Sequence, residues 1–187
     1  MGDDIIVQSF HAQVRRSSGN LRRFRASAGA LVQNIDDKDR AILAALQDDA
    51  SLSADVLGEQ VGLSTTAVQR RIKRLVSERV IARQACILSP EKLGFRMRCV
   101  VGVELDVEHP DVLDQFRAQL DREPRVQQSY YVTGESDFVL VILAKDMDDY
   151  EALTHRLFFG NPYVRRFTTS VVMKTHKSGL NVPTSET

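Results

Sequence analysis

At 187 residues, 43% of them hydrophobic, the chain is long enough for one or two domains with real cores. No apolar run approaches the ~20 residues that span a bilayer, and the N-terminus lacks a compact apolar leader, so a cytoplasmic protein without a membrane partner is expected. The formal net charge is zero, the two cysteines (Cys86, Cys99) form no Cys-x-x-Cys spacing and the four histidines (His11, His109, His155, His176) are scattered, so neither a disulfide framework, a metal site nor a cofactor is expected.

The zero net charge hides an uneven distribution. Residues 1–34 contain five arginines against two aspartates and are rich in serine and glycine, which reads as a flexible extension. A DNA-touching arm, a transit-like leader and an upstream start codon all remain open for it, and Val14, Leu21, Phe24 and Leu31 are spaced for a short helix. Asp36 is then a plausible N-cap for a first helix with Ile42, Leu43 and Leu46 on its apolar side, ending near Gln47. Ser53 caps a short second helix in which Ala54, Leu57 and Val61 recur at helical spacing before Gly62 stops it. Ser64 caps a third helix, with Val68, Ile72 and Leu75 on its buried stripe and an end near Glu78.

Positive charge gathers on that third helix. Arg70, Arg71, Lys73, Arg74 and Arg79 face only Glu78 between residues 64 and 79. A charge run alone is a solvated helix face, but here it follows a short helix and a glycine turn, the order of a helix-turn-helix. Thr66, Gln69, Arg70, Lys73 and Ser77 lie opposite the apolar stripe, with Arg71 and Arg74 on its flanks and Thr65 and Thr66 near the helix start. Arginine and lysine neutralise phosphates, and arginine and glutamine can pair bidentately with guanine and adenine. Double-stranded DNA is the expected partner.

Beyond Glu78 the pattern becomes strand-like. Val80 to Leu88 reads as a β-wing, broken by Ser89-Pro90. Arg96 to Leu105 then reads as a strand, Pro110 to Arg122 as a helix, Val126 to Val132 and Phe138 to Ala144 as strands, Met147 to Phe159 as a helix and Val164 to Met173 as the last strand. This βαββαβ order is that of a ferredoxin-like unit, an antiparallel sheet with both helices on one face. The run FVLVILA, 138–144, does not alternate, which asks for cover on both sheet faces and points to a second copy of the sheet in a symmetric dimer. The fold class is therefore α+β: a winged helix-turn-helix at 35–82, a wing or linker at 83–94, a ferredoxin-like domain at 95–176 and a tail at 177–187.

With these elements in place, the segments DDKDRAILAALQDDASLSADVLGEQVGLSTTAVQRRIKRL, VIARQACILSPEKLG and YYVTGESDFVLVILAKDMDDYEAL resemble the Lrp/AsnC family of leucine-responsive, or feast/famine, transcriptional regulators. The resemblance covers about Ile35 to Lys174. It implies a sequence-specific DNA-binding regulator without catalytic residues, responding to an amino acid or related metabolite and working as a homodimer that assembles to tetramers or octamers. It places Thr65, Thr66, Gln69, Arg70, Arg71, Lys73 and Arg74 on the DNA-binding helix. It also places Thr133, Gly134, Glu135, Ser136 and Asp137 on the turn that lines the effector site, where Gly134 lets the backbone approach a small ligand and Asp137 suits an ammonium group.

Two departures from the family pattern stand out. Arg79 occupies a position where the family usually has glycine, and residues 1–33 have no counterpart in it. Two rival functions share parts of this architecture. A siroheme decarboxylase-like subunit would need histidine and arginine near the central strands, but QQSYYVTGESDFVLVI has neither. An architectural chromatin protein would bind DNA with little sequence choice.

Overall fold

The computed structural model describes residues 35–106 and 109–184. The extension expected at 1–34 lies outside them. The chain divides into two units, one of residues 35–87 with 177–184, the other Leu88–His176.

The first unit is built from α1 (Asp37–Asp48), α2 (Ala54–Val61) and α3 (Thr65–Ser77). Each starts at the residue whose side chain can satisfy orphan backbone donors: Asp36 accepts from Asp39 N, Ser53 from Val56 N and Ser64 from Ala67 N. At α1 the cap is reciprocal, since Asp36 N also donates to the Asp39 carboxylate at 3.2 Å. Ile42, Leu57, Val61 and Val68 form the core, with Ile72 and Leu63 packed against it. The α2–α3 turn is tight. Gly62 sits at φ 66°, and a Cβ on Gly58 would lie 2.6 Å from the Leu63 carbonyl oxygen, so both glycines are required by geometry.

After α3 the chain turns through Arg79 at φ 58°, the conformation in which an L-side chain is strained. The amide of Ile81 then donates to Leu75 O at 3.1 Å. The β-wing expected at Val80 to Leu88 does not form: residues 82–88 are exposed and not strand, and among the described residues no strand pairs with them. A β-rich sequence stays a plain extended segment when its backbone groups have no ladder to join. The last segment also departs from a free tail. Gln47 of α1 clamps Val182, donating to its carbonyl at 3.1 Å and accepting from its amide at 2.7 Å, while Arg40 donates to Thr184 O at 3.1 Å.

The second unit contains β1 (Met97–Leu105), α4 (Pro110–Asp121), β2 (Val126–Tyr131), β3 (Phe138–Ala144), α5 (Met147–Thr154) and β4 (Val164–Val171). The sheet order is β2-β3-β1-β4 with every pairing antiparallel, a ferredoxin-like arrangement. Cys99, Val101 and Val103 of β1 and Phe138, Leu140 and Ile142 of β3 point into a core completed by Phe116, Leu120, Leu153 and Phe158. The long helix expected to reach Phe159 leaves α-helical geometry after Thr154 and closes with a π-turn, His155–Phe159, in which Gly160 N donates to His155 O. That wider turn lets Leu157 and Phe158 both remain buried.

The opposite sheet face is less covered and carries an apolar patch around β3, bordered by Thr168 and Ser170 of β4. Val139 and Val141 are half-buried, while Val100 and Tyr130 are exposed, and the ladder places Val100 beside Val141 and Tyr130 beside Val139.

Candidate nucleic-acid interface and effector turn

The sequence-predicted DNA-binding residues fall into two groups. Thr66, Gln69, Arg70 and Lys73 are exposed along one side of α3, the side away from the Val68–Leu75 stripe. Among the described residues, neither Arg70 nor Lys73 is held in an ion pair, so their donors face solvent. Thr65, Arg71 and Arg74 are engaged within the unit. The Thr65 hydroxyl donates to Asp55, tying the start of α3 to α2.

Arg71 and Arg74 reach back to α1. Arg71 Nη1 donates to both Asp36 oxygens, at 2.9 and 2.7 Å, and to Asp39 Oδ1 at 2.8 Å. Arg74 Nη2 donates to the other Asp39 oxygen and Nη1 lies 3.6 Å from Glu78. The Asp39 side chain is fully buried. Burial pushes its carboxyl up, but the hydrogen bonds from Arg71 and Arg74 win and hold it below the ordinary value. The Asp36 carboxyl is also lowered, first by the Asp39 amide and then by Arg71. Sequence reasoning singled out Asp36 only as a cap and did not see Asp39. The signal was available in part, since a carboxylate three residues into a capped helix forms a capping box, but its second role needs the tertiary fold.

The turn Thr133–Asp137 joins β2 to β3. Thr133, Gly134 and Glu135 are exposed, and Gly134 adopts φ 145°, a conformation L-side chains rarely take. Its far end is anchored: Asp137 N donates to Val103 O at 2.9 Å, Val132 N donates to Asp137 O at 2.9 Å, and Asp137 Oδ2 accepts from Leu105 N at 2.7 Å. That last bond falls where the β1–β4 register shifts between Glu104 and Leu105, so the carboxylate satisfies an amide at an irregular point in the ladder. Ser136 packs over β1 so closely that a Cβ on Gly102 would meet its Oγ at 2.5 Å. Gly102 was missed, though a lone glycine within a strand signals such an approach.

Beside the turn, Glu104 is buried and held by Arg165 and Arg166 of β4, with Arg166 Nε at 2.9 Å. These hydrogen bonds, Arg166 first, keep the Glu104 carboxyl below its usual range. The Arg165 guanidinium, raised mainly by Glu104, also feels the charges of Asp106 and Asp137. The turn therefore offers exposed backbone, two hydroxyls and two carboxylates, with the Glu104-bonded guanidiniums of Arg165 and Arg166 on neighbouring β4, groups of the kinds that pair with a small zwitterion. Among the described residues, no cluster of three His, Cys, Asp or Glu is arranged to hold a metal, and no helix is long and apolar enough to cross a membrane.

Comparison with known proteins agrees with this geometry in both units. An AsnC-type helix-turn-helix domain model matches residues 35–76, and an Lrp/AsnC ligand binding domain model matches residues 98–182. An uncharacterised HTH-type transcriptional regulator of Sinorhizobium fredii is 41% identical over 149 residues, covering 80% of this chain and 88% of the relative. The leucine-responsive regulatory protein of Salmonella typhimurium is 32% identical, over 77% of this chain and 88% of its own length. Among solved structures, a Neisseria meningitidis transcriptional regulator in complex with L-methionine superposes with a TM-score of 0.77 at 27% identity, covering 80% of this chain and 97% of that one. The relatives are regulators rather than decarboxylases. Two matching domain models over most of the described chain, with relatives above 30% identity along nearly their whole length, place it plainly: the chain belongs to the Lrp/AsnC family of transcriptional regulators.

Proposed function

We propose that this regulator reads duplex DNA with Thr66, Gln69, Arg70 and Lys73, and that a free amino acid bound at the Thr133–Asp137 turn sets how it does so. The observation that carries the first half is the exposed polar face of α3 behind a glycine-turned α2, which presents a guanidinium, an ammonium and an amide along one helix side. The second half is supported by the polar turn and by the L-methionine bound to the Neisseria relative. The half-covered valines of β3 fit a homodimer through the sheet, with tetramers or octamers built from it. The protein performs no catalysis in this reading and works in the cytoplasm, where free amino acids report nutrient supply.

A thermal-shift screen against the amino acids tests the effector half. A ligand that binds the native state raises its melting temperature with concentration, by about 2.7 kcal/mol of stability at a hundred times its Kd. One or a few amino acids are expected to do so. A flat response to all of them at millimolar concentration would refute an amino-acid effector.

A further inference from the structure

Resting on the DNA-binding reading above, we infer that Asp39 is the positioning residue of the DNA-reading helix, and that it withdraws Arg71 and Arg74 from DNA. The two arginines lie three residues apart, so their guanidiniums emerge about one turn from each other on the side of α3 that meets α1. One buried carboxylate holds both, one oxygen each. A two-point hold across a helical turn resists rolling about the helix axis, and roll decides which side chains face the bases. Arg71 is held further by both oxygens of Asp36, and Arg74 has Glu78 beside it.

The charge count agrees. Three carboxylates, Asp36, Asp39 and Glu78, surround two guanidiniums, so the cluster offers phosphates no surplus cation. Either arginine could swing to a phosphate only by leaving Asp39 buried with one partner fewer, which the low-dielectric interior penalises. Arg70 and Lys73 carry no such commitment. Of the seven candidates on α3, four therefore form a reading set on the exposed face and two a pair of struts behind it, while Thr65 is tied to Asp55 of α2.

The experiment uses the full chain, a duplex selected by the wild type from a random-sequence pool, and a scrambled duplex. Each is titrated by fluorescence anisotropy across a series of salt concentrations, with circular dichroism confirming that every variant is folded. Asp39→Asn and Arg71→Gln are each expected to lower the preference for the selected duplex by about tenfold, roughly one base contact, while binding to the scrambled duplex and its salt slope stay as in the wild type. The double variant should be little worse than either single change, because both break one bridge. Arg71→Lys, which keeps the charge and loses the fork, should also lose preference. Lys73→Gln should instead flatten the salt slope by about one on both duplexes.

A slope flattened by about one in Arg71→Gln or Arg74→Gln would overturn the inference, because those side chains would then be touching phosphate. Full preference in folded Asp39→Asn would overturn it too. Should Asp39→Asn not fold, Arg71→Lys decides alone: retained preference refutes the strut role. A wild type that selects no duplex would refute the DNA-binding reading itself.

Discussion

Arg79 is the residue whose conformation is least suited to its side chain. At φ 58° it pays the penalty of roughly 1–2 kcal/mol that a left-handed L-residue carries, partly offset in the comparison with glycine by glycine's greater loss of backbone entropy, about 0.5–1 kcal/mol. Arg79→Gly is therefore expected to stabilise the protein by about 0.5–1 kcal/mol, read as a higher midpoint in urea at unchanged slope. A lower midpoint would mean that the Arg79 side chain makes a compensating contact. The opposite outcome is expected at Gly58, where any Cβ must push against the Leu63 carbonyl at 2.6 Å. Gly58→Ala should cost on the order of 1–3 kcal/mol as an overpacking change and lower the same midpoint. Of these two positions, only Arg79 could be suspected from the sequence, because it breaks a family pattern. Gly58 is unremarked in any local pattern, since what crowds it is a carbonyl five residues further along a turn.

At the scale of the elements, what was legible is what local chemistry determines. Ser53 and Ser64 name their helix starts, Gly62 names the turn, and alternating or continuous apolar runs name the strands. The illegible part consists of features that depend on residues distant in sequence. Arg71 and Arg74, on the flanks of the apolar stripe, count among the DNA-binding candidates until α1 brings Asp36 and Asp39 beside them from more than thirty residues away. Val80 to Leu88 has strand composition, yet a strand is a property of two segments. The segment after His176 looks like a polar tail, and only the fold shows Gln47 gripping Val182 by both backbone groups.

Two expectations follow for these elements. Removing residues 177–187 should lower the melting temperature of the helix-turn-helix unit, and Gln47→Ala should give part of that loss in the same calorimetric transition. An unchanged transition in both would show that the clamp contributes nothing. Acid should also loosen the α1–α3 bridge. Because the Asp39 and Asp36 carboxyls are lowered in the folded protein, their stabilising contribution is fully present above the unfolded pKa of about 4 and is lost as pH falls through the folded values. Denaturant midpoints should fall below about pH 4, and less steeply in Asp39→Asn, which lacks the titrating group; an equal fall in both would dissociate acid sensitivity from this bridge.

For the whole molecule, the proposed effector turn and the proposed reading helix lie in separate units, so on this reading a ligand can alter DNA binding only by favouring one arrangement of the protein over another. In the proposed homodimer, the partly covered sheet face of Val100, Val139 and Val141 is where a second copy would add to that arrangement. The most direct measurement is the affinity of the full chain for its selected duplex, by anisotropy, with and without the amino acid found by thermal shift, in the wild type and in Asp137→Asn. The asparagine keeps an oxygen for the Leu105 amide, so the turn's anchor survives, while the charge suited to an ammonium group is removed. The expected result is a ligand-dependent change in affinity in the wild type that disappears in Asp137→Asn, with ligand-free DNA binding nearly equal in the two. A full ligand response in Asp137→Asn, or none in the wild type despite ligand binding, would contradict the coupling of this turn to DNA.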